Sequence, residues 1–410
     1  MIQVVTAIRS LLLGMGILLA GSGLLGTLLG LRAGEEGFPQ WVTGIVMSAF
    51  FVGYIIGSWL CPKIIHRVGH IRTFAVMATI SSVVALLHGM VVDPYAWWWL
   101  RVLNGISLLG LYMVIESWLN ETVIDQRGQI FGIYMTISLL ALGAGQFLIL
   151  LYGPMDLASF ALVAILFSLG LLPVALTRRP QPQPIATGAL SLVTLYRKAP
   201  TGVAGALLSG VVTGAFWGMG AVYAHDLALS PQMVATFIAL TILGGALLQW
   251  PLGKLSDNRD RRIVMSGISL AGALCAIALL AVQPAADTLL LIVALLYGGF
   301  SFSLYAISVA QTHDRLGQGQ VLEGTRALLL LNGIGAALGP LLAGGLMQWL
   351  GSARGFPLAL LMTLMALATF VHWRMQVDKP VPETERGEFV PVTRTSAVAA
   401  ELDPRTPDPD

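Results

Sequence analysis

Arg101, Tyr112 and Glu116 stand within one apolar stretch, residues 95–118, where a cation, a phenol and a carboxylate each carry a desolvation cost. Wound as a helix at about 100° per residue, Arg101 and Glu116 lie some 60° apart around the axis with Tyr112 between them. One face therefore offers a guanidinium able to hold a carboxylate and a carboxyl group able to exchange protons, because burial disfavours its charged form. Residues 286–309 carry Tyr297, Ser301, Tyr305 and Ser308, with Thr312 just beyond, in steps of four, four, three and four. That spacing predicts a hydroxyl stripe along one helical face. Phe216 and Trp217 can wall an apolar cavity, and His225 with Asp226, at the end of the same run, can receive protons from outside. Plainer readings stay open: Arg101 snorkelling to headgroups, Glu116 pairing with Arg127 or Arg67, hydroxyls bonding their own i−4 carbonyls, and His225 and Asp226 as ordinary loop residues.

The elements that must position these groups follow from composition. Of 410 residues, 56% are hydrophobic and 11% charged, with a mean hydropathy of +0.80. Soluble domains sit near 45–50% and 25%, so this chain is built for lipid. A net charge of +2 without a basic run excludes a polyanion-binding surface, and nucleic acid is not expected as a partner. Cys61 and Cys275 lie far apart in apolar runs and suggest neither a disulfide nor a metal site.

A membrane span needs about 20 apolar residues. Twelve runs qualify, near 8–31, 40–61, 73–92, 95–118, 129–152, 156–177, 201–223, 232–253, 263–282, 286–309, 324–347 and 353–374. In lipid they must be helices, since open strand edges would leave backbone groups unsatisfied. With the N-terminus inside, 20 of the 23 Lys and Arg fall on the inner side, leaving Arg32, Arg101 and Arg354 for the outer half. Both termini are therefore expected in the cytoplasm. Residues 178–200, with four prolines and four basic residues, read as a cytoplasmic linker between two six-helix bundles, 1–177 and 201–375. The halves repeat: Pro39-Gln40-Trp41-Val42 returns as Pro231-Gln232-Met233-Val234, and Leu111-Tyr112 as Leu304-Tyr305. Parallel duplication of six helices is a transporter pattern, with the substrate site between the halves near mid-membrane. The tail, 376–410, holds 12 of the 44 charged residues among scattered prolines and reads as disordered.

Between the eighth and ninth spans stands Gly253-Lys254-Leu255-Ser256-Asp257-Asn258-Arg259-Asp260-Arg261-Arg262. It resembles the signature loop of the major facilitator superfamily, G-x-L-x-D-r-x-G-r-r, with Asp260 where the second Gly is usual. A degenerate copy lies between the second and third spans, where Gly69, Arg67 and Arg72 remain but Pro62 and His66 replace the first Gly and the Asp. Arg101 to Gly105 resembles the family's R-x-x-x-G element, and Gly335 to Pro340 its G-x-x-x-G-P element. Val114-Ile115-Glu116-Ser117 and Tyr223-Ala224-His225 are similar to the YcaD-like branch of bacterial transporters. The resemblance implies an all-α membrane protein of twelve helices in two pseudo-symmetric bundles, with spans 1, 4, 7 and 10 around a central cavity. It also implies a cytoplasmic gate at Arg67, Gly69, Arg72, Gly253, Asp257, Arg261 and Arg262. There Asp257 with Arg261 or Arg262 forms a two-state ion-pair latch.

The function expected is secondary active transport across the bacterial cytoplasmic membrane, as a monomer with no cofactor and the proton as coupling ion. Few fixed charges, with aromatic and hydroxyl groups, favour export of a small apolar or amphipathic compound. The alternative is uptake of a small organic anion anchored by Arg101. A membrane-embedded sensor or enzyme is the remote third reading. No P-loop, H-E-x-x-H or G-x-S-x-G is present, which disfavours ATP-driven transport and common hydrolase chemistry.

Overall fold

The computed structural model describes residues 2–122, 127–176, 190–281, 287–317 and 320–391, together with 395, 396 and 398. Among them it is all helical. The helices are α1 Ile2–Glu35, α2 Gln40–Val68, α3 His70–Met90, α4 Pro94–Thr122, α5 Arg127–Gln146 and α6 Leu157–Ala175 in the first half. A short α7, Leu192–Lys198, leads into α8 Pro200–Asp226, α9 Pro231–Asp257, α10 Arg261–Ala281, α11 Asp287–His313, α12 Val321–Leu350 and α13 Gly355–Val377. All but α7 are long and apolar enough to cross a bilayer, which gives the expected twelve spans.

Local chemistry sets the ends. Gly69, at φ 83°, makes the turn from α2 to α3 with its N–H on the Ile65 carbonyl, a backbone conformation a side chain would strain. Asp156 and Ser230 cap α6 and α9, accepting from the N–H groups of Ala158 and Met233. Large apolar side chains such as Leu140, Leu274 and Trp349 face outward, since lipid is their solvent.

The same pairings recur in both halves. α2 packs on α4 as α9 packs on α11, α3 on α6 as α10 on α13, and α1 on α5 as α8 on α12. The crossings are glycine on backbone: Gly53 lies against Val102 and Gly105 against Phe50, while Gly244 lies against Leu295 and Gly298 against Thr241. In lipid, where apolar surface gains little by leaving the solvent, such close approach is what holds helices together.

Of the expected linker, 178–189 lie outside the described residues, and 190–200 carry α7. Leu195 of α7 is buried, and Lys198 donates to Gln320 at 2.6 Å. The expectation of a disordered tail is corrected for the described residues after α13. They run along the bundle end that also carries the α2–α3 and α9–α10 turns, here termed the tail end, and Phe389, Ser396 and Val398 are buried. These apolar side chains find a partner surface there that composition alone does not reveal.

Candidate functional site

Between the halves lies a cavity of about 940 Å³, ample for a small organic molecule. Its walls come from α1 (Ser22, Thr27), α2 (Phe50 to His66), α4 (Arg101 to Met113), α8 (Thr213, Phe216, Trp217) and α12 (Arg326 to Ala336). Aromatic rings share the wall with aliphatic side chains, and Trp217 stacks on Phe302 at 6.1 Å. The charged side chains in the wall are Lys63, Arg101 and Arg326, and among the described lining residues no Asp or Glu stands with them.

Arg101 is buried at 6% exposure. Its Nη1 donates to Asn104 at 3.1 Å, its guanidinium carbon sits 4.6 Å from the centre of the Phe50 ring, and its Nε has no hydrogen-bond partner. The snorkelling reading therefore fails, because the head group is held inside the cavity by an amide and a ring face. Tyr112 also lines the cavity. Glu116 does not. It is fully buried one turn further along α4, where Tyr134 of α5 donates to Oε1 at 2.6 Å and the Ser396 hydroxyl of the tail donates to Oε2. Fifteen residues of helix separate Arg101 from Glu116 by about 22 Å along the axis, so they do not form a direct pair.

The α11 stripe is placed differently from expectation. Tyr297, Ser301, Tyr305 and Ser308 are buried inside the second half and absent from the cavity wall. Ser308 and Thr312 donate to the carbonyls of Leu304 and Ser308, four residues back, and both press against glycines of α8, Gly205 and Gly202. Tyr297 donates to the Val212 carbonyl of α8 at 3.4 Å. Along the stripe Ser308 and Thr312 are satisfied on their own helix and Tyr297 on α8, while the Ser301 hydroxyl has no hydrogen-bond partner among the described residues. Sequence reasoning missed the α2 and α12 walls, including Phe50, Tyr54, Asn332 and Arg326. An aromatic run on α2 was the available signal; Asn332, which donates to the Ala206 carbonyl, gave none.

At the tail end, Arg261 is fully buried and gathers Asp257 at 3.1 Å, Asp314 at 2.6 Å, the Ser256 hydroxyl and the Gly387 carbonyl. Of the two partners expected for Asp257, Arg261 is the one that pairs with it; Arg262 pairs instead with Asp260 at 2.7 Å, because the two-residue spacing lets its backbone and side chain bind one carboxylate. Burial would raise the Asp260 pKa, but these hydrogen bonds outweigh it and hold the carboxyl below its ordinary value. All of these partners belong to the second half or the tail, so the pairs do not join the two halves. Arg67 and Arg72 are exposed and make no ion pair among the described residues. Gly253 lies under the Phe389 ring, which occupies the space a Cβ would need. At the opposite end His225 stands 3.3 Å from Asp226 and 3.7 Å from Glu35 of α1, while Gln40 of α2 donates to Asp226 at 3.2 Å. Gly44 of α2 lies against Pro340 and Gly344 of α12. The halves are thus closed at this end and parted at the tail end.

A profile described as Major Facilitator Superfamily matches residues 11–322 and 202–402. The chain belongs to the major facilitator superfamily. Among relatives of this superfamily, the MFS-type transporter YcaD of Escherichia fergusonii is 28% identical over 341 residues, covering 82% of this chain and 88% of its own. That of Salmonella typhimurium is 27% identical over 368 residues, covering 89% and 94%. Among solved superfamily structures, the nucleoside transporter NupG superposes with a TM-score of 0.76 at 15% identity, over 90% of this chain and 99% of that one. A bacterial homologue of the lysosomal transporter Spinster, inward-facing and occupied, gives 0.69 at 15%, over 93% and 98%. As a superfamily transporter the chain is a multi-pass membrane protein that moves a small molecule by alternating access, and a cavity closed at one end is one state of that cycle.

Proposed function

We propose that the chain carries a small amphipathic anion across the bacterial inner membrane, coupled to protons, with the tail end in the cytoplasm. The observation that carries the substrate class is the wall itself: no carboxylate among its described residues, and a buried Arg101 whose Nε has no hydrogen-bond partner. An arginine desolvated without an acidic partner is a standing demand for an anion. Phe50, Tyr112, Phe216 and Trp217 suit the apolar body. This favours the organic-anion reading over export of a purely apolar compound, which would leave Arg101 uncompensated. Glu116, buried between Tyr134 and Ser396, is the proton site in this reading. The orientation rests on the bias of Lys and Arg toward the tail end.

The test uses purified protein and matched pairs of aromatic carboxylates and their primary amides, scored by thermal stabilisation and then by flux in liposomes. Carboxylates should stabilise and their amides should not. Equal stabilisation by both members of every pair removes Arg101 as the anchor.

A further inference from the structure

We propose that the inner mouth of the cavity is a peptide-binding surface whose ligand is the chain's own tail, and that the seated tail holds the halves apart at that end and restricts entry. The tail leaves α13 at Asp378, whose carbonyl accepts from Arg262 at 2.9 Å, and the Lys379 carbonyl accepts from Arg315 at 2.9 Å. At Gly387 both backbone groups are used: the N–H donates to Asp314 at 3.1 Å and the carbonyl accepts from Arg261. Phe389 then packs on Gly253 at 5% exposure. These contacts fasten the tail to the second half.

The next described residues reach the first half. Tyr54 of α2 donates its hydroxyl to the Thr395 carbonyl, and the Ser396 hydroxyl donates to Glu116 of α4. Val398 is fully buried and, with Thr395, forms part of the cavity wall. The described tail residues therefore bind α9, α10 and the end of α11 on one side and α2 and α4 on the other. Closing this end, which the opposite-facing state requires, brings those two sides together and leaves no room for it. The signature loop thus serves as a socket: Gly253 makes space for a ring and Arg261 presents an N–H to a backbone carbonyl.

The experiment places a cysteine on the cavity wall, Ser22→Cys, in the full-length chain. The native Cys61 and Cys275 are buried and stay in place, with the unsubstituted protein as background. The rate of modification by a bulky, charged maleimide is measured on purified protein. Labelling should be at least fivefold faster when Phe389→Asp is added, and equally fast in a chain ending at Glu385. A synthetic peptide of residues 386–410 should slow the shortened protein back toward the full-length rate, and a scrambled peptide should not. Equal rates in all three proteins overturn the proposal. So does faster labelling that the peptide fails to reverse, since damage to the fold would not be repaired by a tail peptide.

Discussion

α4 and α11 occupy equivalent places in the two halves, and their differences separate what duplication supplied from what chemistry added. Both cross a partner helix on paired glycines, Gly53 with Gly105 and Gly244 with Gly298, and both carry a tyrosine at the matching level, Tyr112 and Tyr305. The charges are not shared. Where α4 has Arg101 and Glu116, the offset of 193 residues puts Ala294 and Val309 in α11. α4 brings Arg101 and Tyr112 to the cavity and Glu116 to Tyr134 and the tail; α11 turns Ser308 and Thr312 onto its own carbonyls and Tyr297 onto α8. The scaffold is symmetric, while Arg101 and Glu116 belong to one half alone.

The glycine crossings offer the most drastic test of that contrast. Gly105→Val and Gly298→Val each drive a side chain into backbone of the partner helix, which cannot yield as a flexible side chain would. Both should cost about 3 kcal/mol or more, seen as lost yield and lower melting temperature. A half that tolerates its valine would break the symmetry of the scaffold. Arg101→Ala should weaken binding of a stabilising carboxylate at least tenfold, about 1.4 kcal/mol, with Arg101→Lys intermediate. Ser301→Ala on α11 should change it less than twofold by the same titration. Next, Glu116→Gln should keep exchange but lose accumulation driven by an imposed pH gradient, and Ser308→Ala should leave both as they were. Uphill transport by Glu116→Gln would move the proton site elsewhere, with the His225 and Asp226 cluster the first place to look.

The smallest effect belongs to Asp260, whose counterpart loop in the first half has no such pair. Its carboxyl is held below the ordinary value, so the stabilisation is present above about pH 4 and is lost as pH falls through the lowered native value. Melting of wild type and Asp260→Asn should differ by less than about 1 kcal/mol at neutral pH and converge in acid.

Hydropathy made twelve spans legible because lipid imposes length and apolarity on each helix separately. The repeated Pro-Gln and Leu-Tyr segments revealed the duplication for the same local reason. Arg101 was legible too, since an arginine in an apolar run has few places to go. The α11 stripe misled because helical spacing tells which residues share a face but not what that face meets, and small α8 glycines let it face inward on the bundle. Which arginine pairs with Asp257 stayed open in the sequence, because the loop motif fixes sequence neighbours, not side-chain reach; the structure gives it Arg261. The tail was least legible: scattered charges and prolines describe Arg386, Glu388 and Pro391 well enough, but Phe389 and Val398 have meaning only against Gly253 and the cavity wall.

α2 meets α12 at Gly44 and lines the tail-end mouth at His66, and its glycine crossing makes α4 travel with it. Twenty-two residues of helix give this arm a length of about 33 Å. A tilt of about 10° about the Gly44 contact therefore swings His66 through about 6 Å, the width of an aromatic ring with its van der Waals shell. Arg101, beside the Gly53 crossing about 14 Å from the pivot, shifts by about 2 Å. The leverage lets the mouth open widely while the middle of the cavity wall moves less than half as far, so in the proposed reading a bound anion can stay beside Arg101 as the side it faces changes.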